Sequence, residues 1–537
     1  MEILINIILN LTFLAISFII FLLSLLWYLQ VLQILEYFNL KFLRWIKRNL
    51  ESIFLKNTLL ILIISINIIF LFLNKNVYSN YLIKIFSILI LSINLISVYK
   101  IYKKRKKLSK KGLVLTKRLN RILYLNIFSF FVFILLINIL IPDFNFLLTS
   151  LYLIFLPLII LTLNIIILPL EITINNFYFN DAIKKIDKLK PFIIAITGSY
   201  GKTSTKFFIN QMLQNKFKTL MTPESYNTAM GITKVIRNNL NEDDKIFIVE
   251  LAENEVGGFK RLLKLIKPNI SVVTSIGIQH LEEFGLEEKI YKEIDYFIDY
   301  SIKSKDCKNI FLNGDDKYLS KYSNLKIKKC SIDKELDFYG IIIESNLSGS
   351  KFKLINKDNE ILCETKIIGK ENLRNIVIAS SVAYNMGLSF NEISESIRKL
   401  EPPPHRLNII DNGIITIIDD AYNSNPVGAR MAIDLLSKHD KGRRIIITPG
   451  FIDLGKKEFE ENKKLGEYMK EKVDYVFLVG GKRTKPIFEG LIKENFSKEN
   501  IFIFKNFFEA NDFLKKFLKP NDAILFENDL PEIFEEI

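Results

Sequence analysis

The chain reads as an α/β protein preceded by a helical membrane domain, and three observations carry that reading. Residues 1 to about 175 are rich in Ile, Leu and Phe and nearly free of acids, whereas the rest has the mixed composition of a soluble α/β protein. From Pro191 onward, short β-branched runs alternate with helix-length amphipathic stretches, the pattern of a parallel sheet flanked by helices. Pro402-Pro403-Pro404 interrupts that series; three prolines continue neither a helix nor a central strand. The expected domains are therefore 1–175 (membrane), 176–404 (central) and 405–537 (carboxyl-terminal).

Crossing the hydrocarbon core takes roughly 20 apolar residues as a helix, and the first half offers five such segments, at 3–28, 57–74, 79–99, 122–141 and 146–170. The first is too long, and too closely followed by others, to be a cleaved signal peptide. Stretch 29–50, with Phe42 and Trp45 among cations, suits an interfacial position. Lys84 sits near the end of its segment, where a lysine snorkels. The loop at 29–56 carries Lys41, Arg44, Lys47, Arg48 and Lys56, and the loop at 100–121 carries eleven lysines and arginines. The turns at 75–78 and 142–145 hold one lysine between them. Under the positive-inside rule this alternation puts the amino terminus outside and both basic loops, with everything after the fifth span, in the cytoplasm. Much of the formal +15 lies beside these segments, where it reports topology and anionic lipid rather than nucleic acid. Cys307, Cys330 and Cys363 have no C-x-x-C spacing and read as reduced thiols.

Strands in the soluble half are expected at 192–197, 246–251, 270–275, 309–312, 414–418, 444–448, 475–479, 501–504 and 523–526. The first leads into Thr197-Gly198-Ser199-Tyr200-Gly201-Lys202-Thr203-Ser204, a glycine loop between a strand and a helix. That setting cradles phosphate: small residues let backbone N–H groups approach, and the helix amino terminus adds its positive dipole end. Lys202 then neutralises phosphate charge and Thr203 offers a hydroxyl to magnesium. Ile196 occupies the place of the first glycine in the general G-x-x-x-x-G-K pattern, so the loop is a T-G-S-x-G-K-T-S variant.

That variant resembles the Mur ligase family, which joins an amino acid or peptide to a carboxylate using ATP, and five further segments follow in register. They are Asn227-Thr228-Ala229-Met230-Gly231-Ile232; Val249-Glu250-Leu251; the segment from Ile276 to Gly285 containing His280-Leu281-Glu282; Gly369-Lys370-Glu371-Asn372-Leu373-Arg374-Asn375; and Arg406 with Asp419-Asp420-Ala421-Tyr422-Asn423-Ser424-Asn425-Pro426. The resemblance runs from about residue 190 to the end. It implies a P-loop central domain and a Rossmann-like carboxyl-terminal domain. Within the family the last segment and the His280 segment are similar to the D-alanyl-D-alanine-adding branch. Thr448-Pro449-Gly450, Glu460-Glu461-Asn462 and Phe526-Glu527-Asn528-Asp529-Leu530-Pro531 look like a membrane-anchored subgroup in which helices replace the UDP-binding domain.

The resemblance implies ATP and Mg2+ as cofactors, and assigns roles residue by residue. Gly198, Ser199, Gly201, Lys202, Thr203 and Ser204 bind the phosphates; Thr203 and Glu250 hold the first magnesium; His280 lies at a second metal or the acyl phosphate. Asn372 is expected near adenine, Arg406 near the γ-phosphate and Asp420 near the ribose, with Asn227, Thr228 and Asn423 toward substrate. Lys202, His280 and Arg406 form the catalytic set, and closure between the two soluble domains is expected to complete it. One departure stands out. The family has a lysine, carbamylated to bridge metals, fourteen residues after the histidine, and here that position is Ile294. Lys289 and Lys292 are near, but a two-residue shift on a helix turns a side chain by roughly 200°. The implied activity is an ATP-dependent amide ligation in cell-envelope peptide synthesis, on a peptide or amino-acid substrate that is UDP- or lipid-linked. The alternatives are a poly-γ-glutamate-synthase-like ligase and a noncatalytic nucleotide-binding membrane scaffold.

Overall fold

A computed structural model describes residues 2–51, 53, 59–65, 77–108, 112–223, 226–252, 256–277, 284, 286–422, 425–452, 454–481 and 483–529. The chain forms two compact units, the first essentially residues 1–174 and the second residues 175–530.

Among the described residues, four helices are long and apolar enough to cross a membrane: Ile3–Ile34, Tyr81–Lys106, Lys117–Leu140 and Leu156–Leu189, the last running on into the second unit. The expected segment at 57–74 falls largely outside the described residues. Two expectations need correction. Stretch 29–50 is not one interfacial piece, because the first helix continues to Ile34 and only Asn39–Arg48 forms a separate helix. That short helix buries Phe42 and Ile46 in the apolar core of its unit. The segment at 146–170 breaks into helices Asn145–Ile154 and Leu156–Leu189, because Pro157 lacks the N–H that would bond the Leu153 carbonyl. Two polar pairs stand inside this unit. Glu171 is buried and takes a bidentate contact from Arg121 at 2.6 and 2.7 Å, and the Lys84 ammonium donates to Asn6 Oδ1 at 2.5 Å.

In the second unit a nine-stranded sheet has the order β2-β3-β1-β4-β5-β6-β7-β8-β9. Its strands are β1 Phe192–Thr197, β2 Thr219–Met221, β3 Ile246–Glu250, β4 Ile270–Val273, β5 Asn309–Asn313, β6 Ile327–Ile332, β7 Phe338–Asn346, β8 Gly349–Asn356 and β9 Glu360–Thr365. Pairing is parallel through β7 and antiparallel from β7 to β9, so the sheet is mixed rather than parallel throughout. Parallel strands are covered on both faces and read as unbroken apolar runs. Helices Lys202–Leu213 and Lys370–Asn385 pack one face of the sheet, and helices Ala229–Asn238, Gly258–Leu265 and Glu287–Lys303 the other.

A second, six-stranded sheet has the order β10-β11-β15-β12-β13-β14. Its strands are β10 Asn408–Asp411, β11 Thr416–Asp420, β12 Arg444–Thr448, β13 Tyr475–Val479, β14 Ile501–Phe504 and β15 Ala523–Glu527. All pairs but the β10/β11 hairpin are parallel. The strand expected at 414–418 begins at Thr416, because Asn412 and Gly413 make the hairpin turn and Asn412 Oδ1 accepts from the Ile414 and Ile415 N–H groups. The shift brings Asp419 and Asp420 onto the end of β11. Cys307, Cys330 and Cys363 are free and buried.

Candidate nucleotide site

In open α/β sheets ligands bind beyond the carboxyl ends of the strands, and the sequence motifs of the central domain gather there. Between β1 and helix Lys202–Leu213 the chain turns through Gly198 (φ 134°) and Gly201 (φ 82°). A Cβ on Gly198 would lie 2.2 Å from Thr274 Oγ1, and one on Gly201 2.6 Å from Asn375 Oδ1, so glycine is needed for both conformation and space. The Ser275 carbonyl accepts from the Ser199 and Tyr200 N–H groups at 2.7 and 3.1 Å, fastening the loop to the end of β4. Helix Lys202–Leu213 then begins, and its first N–H groups lack intrahelical acceptors.

Lys202 folds back onto the loop, its ammonium donating to the Gly198 and Ser199 carbonyls at 2.6 and 3.1 Å. Burial lowers its pKa from 10.5 to about 8; Glu250 opposes the shift and Arg406 adds to it. The Thr203 hydroxyl donates to Glu250 Oε2 at 3.0 Å, and Asn227 Nδ2 donates to Oε1 at 3.0 Å. Burial opposes ionisation of Glu250, but Lys206, Lys202 and the Asn227 hydrogen bond outweigh it and hold the carboxyl below its ordinary value. A hydroxyl and a carboxylate at this spacing are the oxygen donors a hard divalent cation takes. Thr228 caps helix Ala229–Asn238, its hydroxyl accepting from the Gly231 N–H at 3.3 Å. His280 and Asn423 lie outside the described residues.

A cavity of about 350 Å³ opens beside the loop and is lined from both sides of the Pro402-Pro403-Pro404 linker. Tyr200, Gly201, Ser204, Asn372 and Asn375 face it from the central domain, and Arg406, Asp420 and Asn425 from the carboxyl-terminal one. The Arg406 guanidinium lies over the Tyr422 ring at 4.5 Å. Asp420 Oδ1 accepts from the Leu407 N–H at 3.1 Å, and burial raises its pKa from 3.8 to about 6 against the pull of Arg406. Asn425 caps helix Pro426–Leu436 through the Val427 and Gly428 N–H groups. Arg374, bonded to Asp315 at 2.9 Å and to Glu371, braces the adjoining wall.

Ile294 is buried and lines a small void of about 40 Å³ with Gly198, Ser199, Lys202 and Glu293. An apolar side chain therefore stands against the phosphate loop, while Lys289 and Lys292 are exposed. Neighbouring Glu293 is spent on the amino terminus of helix Gly258–Leu265, accepting from the Gly257 and Phe259 N–H groups at 2.7 and 3.3 Å. Sequence reasoning passed over Lys206. It is fully buried, with its ammonium 3.1 Å from Glu250 Oε2. The available signal was its place one helical turn after Lys202.

The sequence matches the Mur ligase middle domain over residues 196–383 and the Mur ligase glutamate ligase domain over residues 405–527. These segments together exceed half of the chain, which belongs to the Mur ligase family. Among its relatives, the UDP-N-acetylmuramoyl-tripeptide–D-alanyl-D-alanine ligase of Buchnera aphidicola is 29% identical over 300 residues, 55% of this chain and 64% of that protein. The Bacillus subtilis enzyme of the same name is 27% identical over 352 residues, 64% of this chain and 74% of that protein. The chain thus spans less than two thirds of the Buchnera relative's length. Among solved structures, MurF from Acinetobacter baumannii superposes with a TM-score of 0.59 at 21% identity, covering 66% of this chain and 77% of that one. MurF ligase from Thermotoga maritima in complex with ADP gives 0.58 at 22% identity, covering 66% and 80%. These neighbours share the fold of the soluble half.

Proposed function

We propose that this chain is a membrane-anchored, ATP-dependent amide ligase that joins D-alanyl-D-alanine to a peptide carboxylate in peptidoglycan precursor synthesis. One observation carries the reading: the glycine loop, through Tyr200 and Gly201, opens onto the same cavity as Arg406 and Asp420, so residues on both sides of the proline linker reach one nucleotide-sized space. The names of the sequence relatives support the D-alanyl-D-alanine acceptor over glutamate.

A carboxylate is a poor acyl donor because its leaving group would be oxide. Transfer of the γ-phosphoryl group from ATP gives an acyl phosphate, and the acceptor amine attacks its carbonyl carbon and expels inorganic phosphate. The protein's work is positioning and charge neutralisation. The Gly198-to-Ser204 loop cradles the phosphates, Lys202 and Arg406 spread the negative charge from opposite sides, Asp420 accepts from the ribose, and Asn372 faces the adenine. Thr203 and Glu250 would hold magnesium, which would supply further neutralisation at the phosphates. Asn227 orients Glu250 through its hydrogen bond. His280 and Asn423 are assigned to the acyl phosphate and substrate on their motifs alone. The proposed topology is multi-pass, with the amino terminus outside and the catalytic unit in the cytoplasm, where ATP is available, and the donor peptide is UDP- or lipid-linked.

The test uses the full chain in detergent with ATP and magnesium, supplied with UDP-muramoyl tripeptide and either D-alanyl-D-alanine or glutamate. ADP release and a product mass for the D-alanyl-D-alanine adduct are expected. Product with glutamate alone would reassign the acceptor, and nucleotide binding without any product would leave a scaffold.

A further inference from the structure

Lys206 places a second cation at the metal-side carboxylate. Its ammonium shares Glu250 Oε2 with the Thr203 hydroxyl, at 3.1 and 3.0 Å, while Oε1 takes the Asn227 amide. Lys206 is 0% exposed and Glu250 2% exposed. Such a pair is costly to bury, and a hydrophobic pair of similar volume commonly stabilises a fold as well or better. The pair therefore calls for an explanation beyond stability, and its position offers one. Thr203 directly follows the loop lysine, so a bare Glu250 carboxylate would direct a full negative charge at the place where nucleotide phosphates must settle. Lys202 acts on Glu250 from a distance, because its ammonium is turned onto the Gly198 and Ser199 carbonyls, whereas Lys206 meets the carboxylate directly.

We propose that Lys206 is a positioning residue, a resident counter-ion that neutralises Glu250 so that nucleotide phosphates enter the loop before and independently of the divalent cation. This rests on the ATP-site reading above. Loading would then follow the order nucleotide first and metal second, with Lys206 holding Glu250 aligned meanwhile.

Calorimetric titration of ADP into the full chain in detergent, once with magnesium and once with a chelator, separates this role from that of a structural clip. Wild type is expected to bind ADP in both. Lys206→Met should lose metal-free affinity by roughly ten- to a hundredfold, as expected for an uncompensated charge at such range, with a much smaller loss when magnesium is present. Adding Glu250→Gln to Lys206→Met removes the repulsion and should restore metal-free binding, and Lys206→Arg should retain it. Equal loss in both conditions, no loss in either, or failure of the double variant to recover while its melting temperature matches wild type would overturn the proposal. Absence of ADP binding by wild type in both conditions would instead overturn the ATP-site reading, and this inference with it.

Discussion

The two walls of the cavity are built by different means. The central wall is backbone: a glycine loop seated between β1 and helix Lys202–Leu213, with no room for a Cβ at Gly198 or Gly201 and a carbonyl anchor at Ser275. The opposite wall is side-chain charge carried on a linker. Arg406 follows three prolines and sits between His405 and Leu407, both at positive φ (58° and 51°). Left-handed non-glycine residues persist only where their surroundings hold them. Here the Leu407 N–H donates to Asp420, and His405 Nδ1 lies 2.7 Å from Asp419 Oδ2. The first wall is fixed by backbone contacts. The second is a set of charges whose position depends on two aspartates at the end of β11.

This contrast predicts that damage to the first wall abolishes binding, whereas damage to the second mainly slows turnover. The largest effect is expected for Lys202→Ala, with ADP release falling about a thousandfold or more, since it removes a preorganised phosphate contact. Gly198→Ala should come next. Its Cβ would meet Thr274 Oγ1 at 2.2 Å in a backbone at φ 134°, costing about 2–3 kcal/mol of stability in thermal or denaturant unfolding and most of the ADP affinity. Arg406→Ala should lower kcat by about a hundredfold while calorimetry shows ADP affinity changed far less. Equal losses in both quantities would mean that the two walls act as one.

The smallest effect is a pH dependence. Burial raises the Asp420 pKa from 3.8 to about 6, so the folded protein keeps a proton that the unfolded chain releases. That contribution is full below pH 3.8 and is lost as pH rises to about 6. Wild type should therefore lose stability relative to Asp420→Asn across this window and run parallel to it above. A parallel course throughout would remove Asp420 from the buried end of the second wall.

The parts of the fold that the sequence made legible share one physical property. Strands β1, β3, β4, β5, β12, β13 and β15 are covered on both faces, so their apolar runs stand out between polar helices. Strands β7 to β9 escaped notice because they alternate. Lys351 and Lys353 on β8 pair with Glu364 and Glu360 on β9 across an exposed face, and such charge-rich stretches resemble loops. The glycine loop was legible because backbone conformation and space dictate glycine at 198 and 201. Lys206 was not, because its place one helical turn after Lys202 does not by itself reveal the carboxylate it meets 44 residues away. The break at Phe155 lay in plain view at Pro157, hidden by the apolar run around it. The positive φ at His405 and Leu407 comes from tertiary hydrogen bonds that no local pattern announces.

The central claim is that the cavity activates a carboxylate by phosphorylation, and isotope transfer tests it most directly. The donor peptide is prepared with ¹⁸O in its terminal carboxylate, turned over by the full chain with ATP, magnesium and D-alanyl-D-alanine, and the inorganic phosphate is analysed by mass. An acyl phosphate requires one ¹⁸O to leave the carboxylate with the phosphate, so singly labelled phosphate should appear in step with the amide product. Amide product accompanied by unlabelled phosphate would contradict the account.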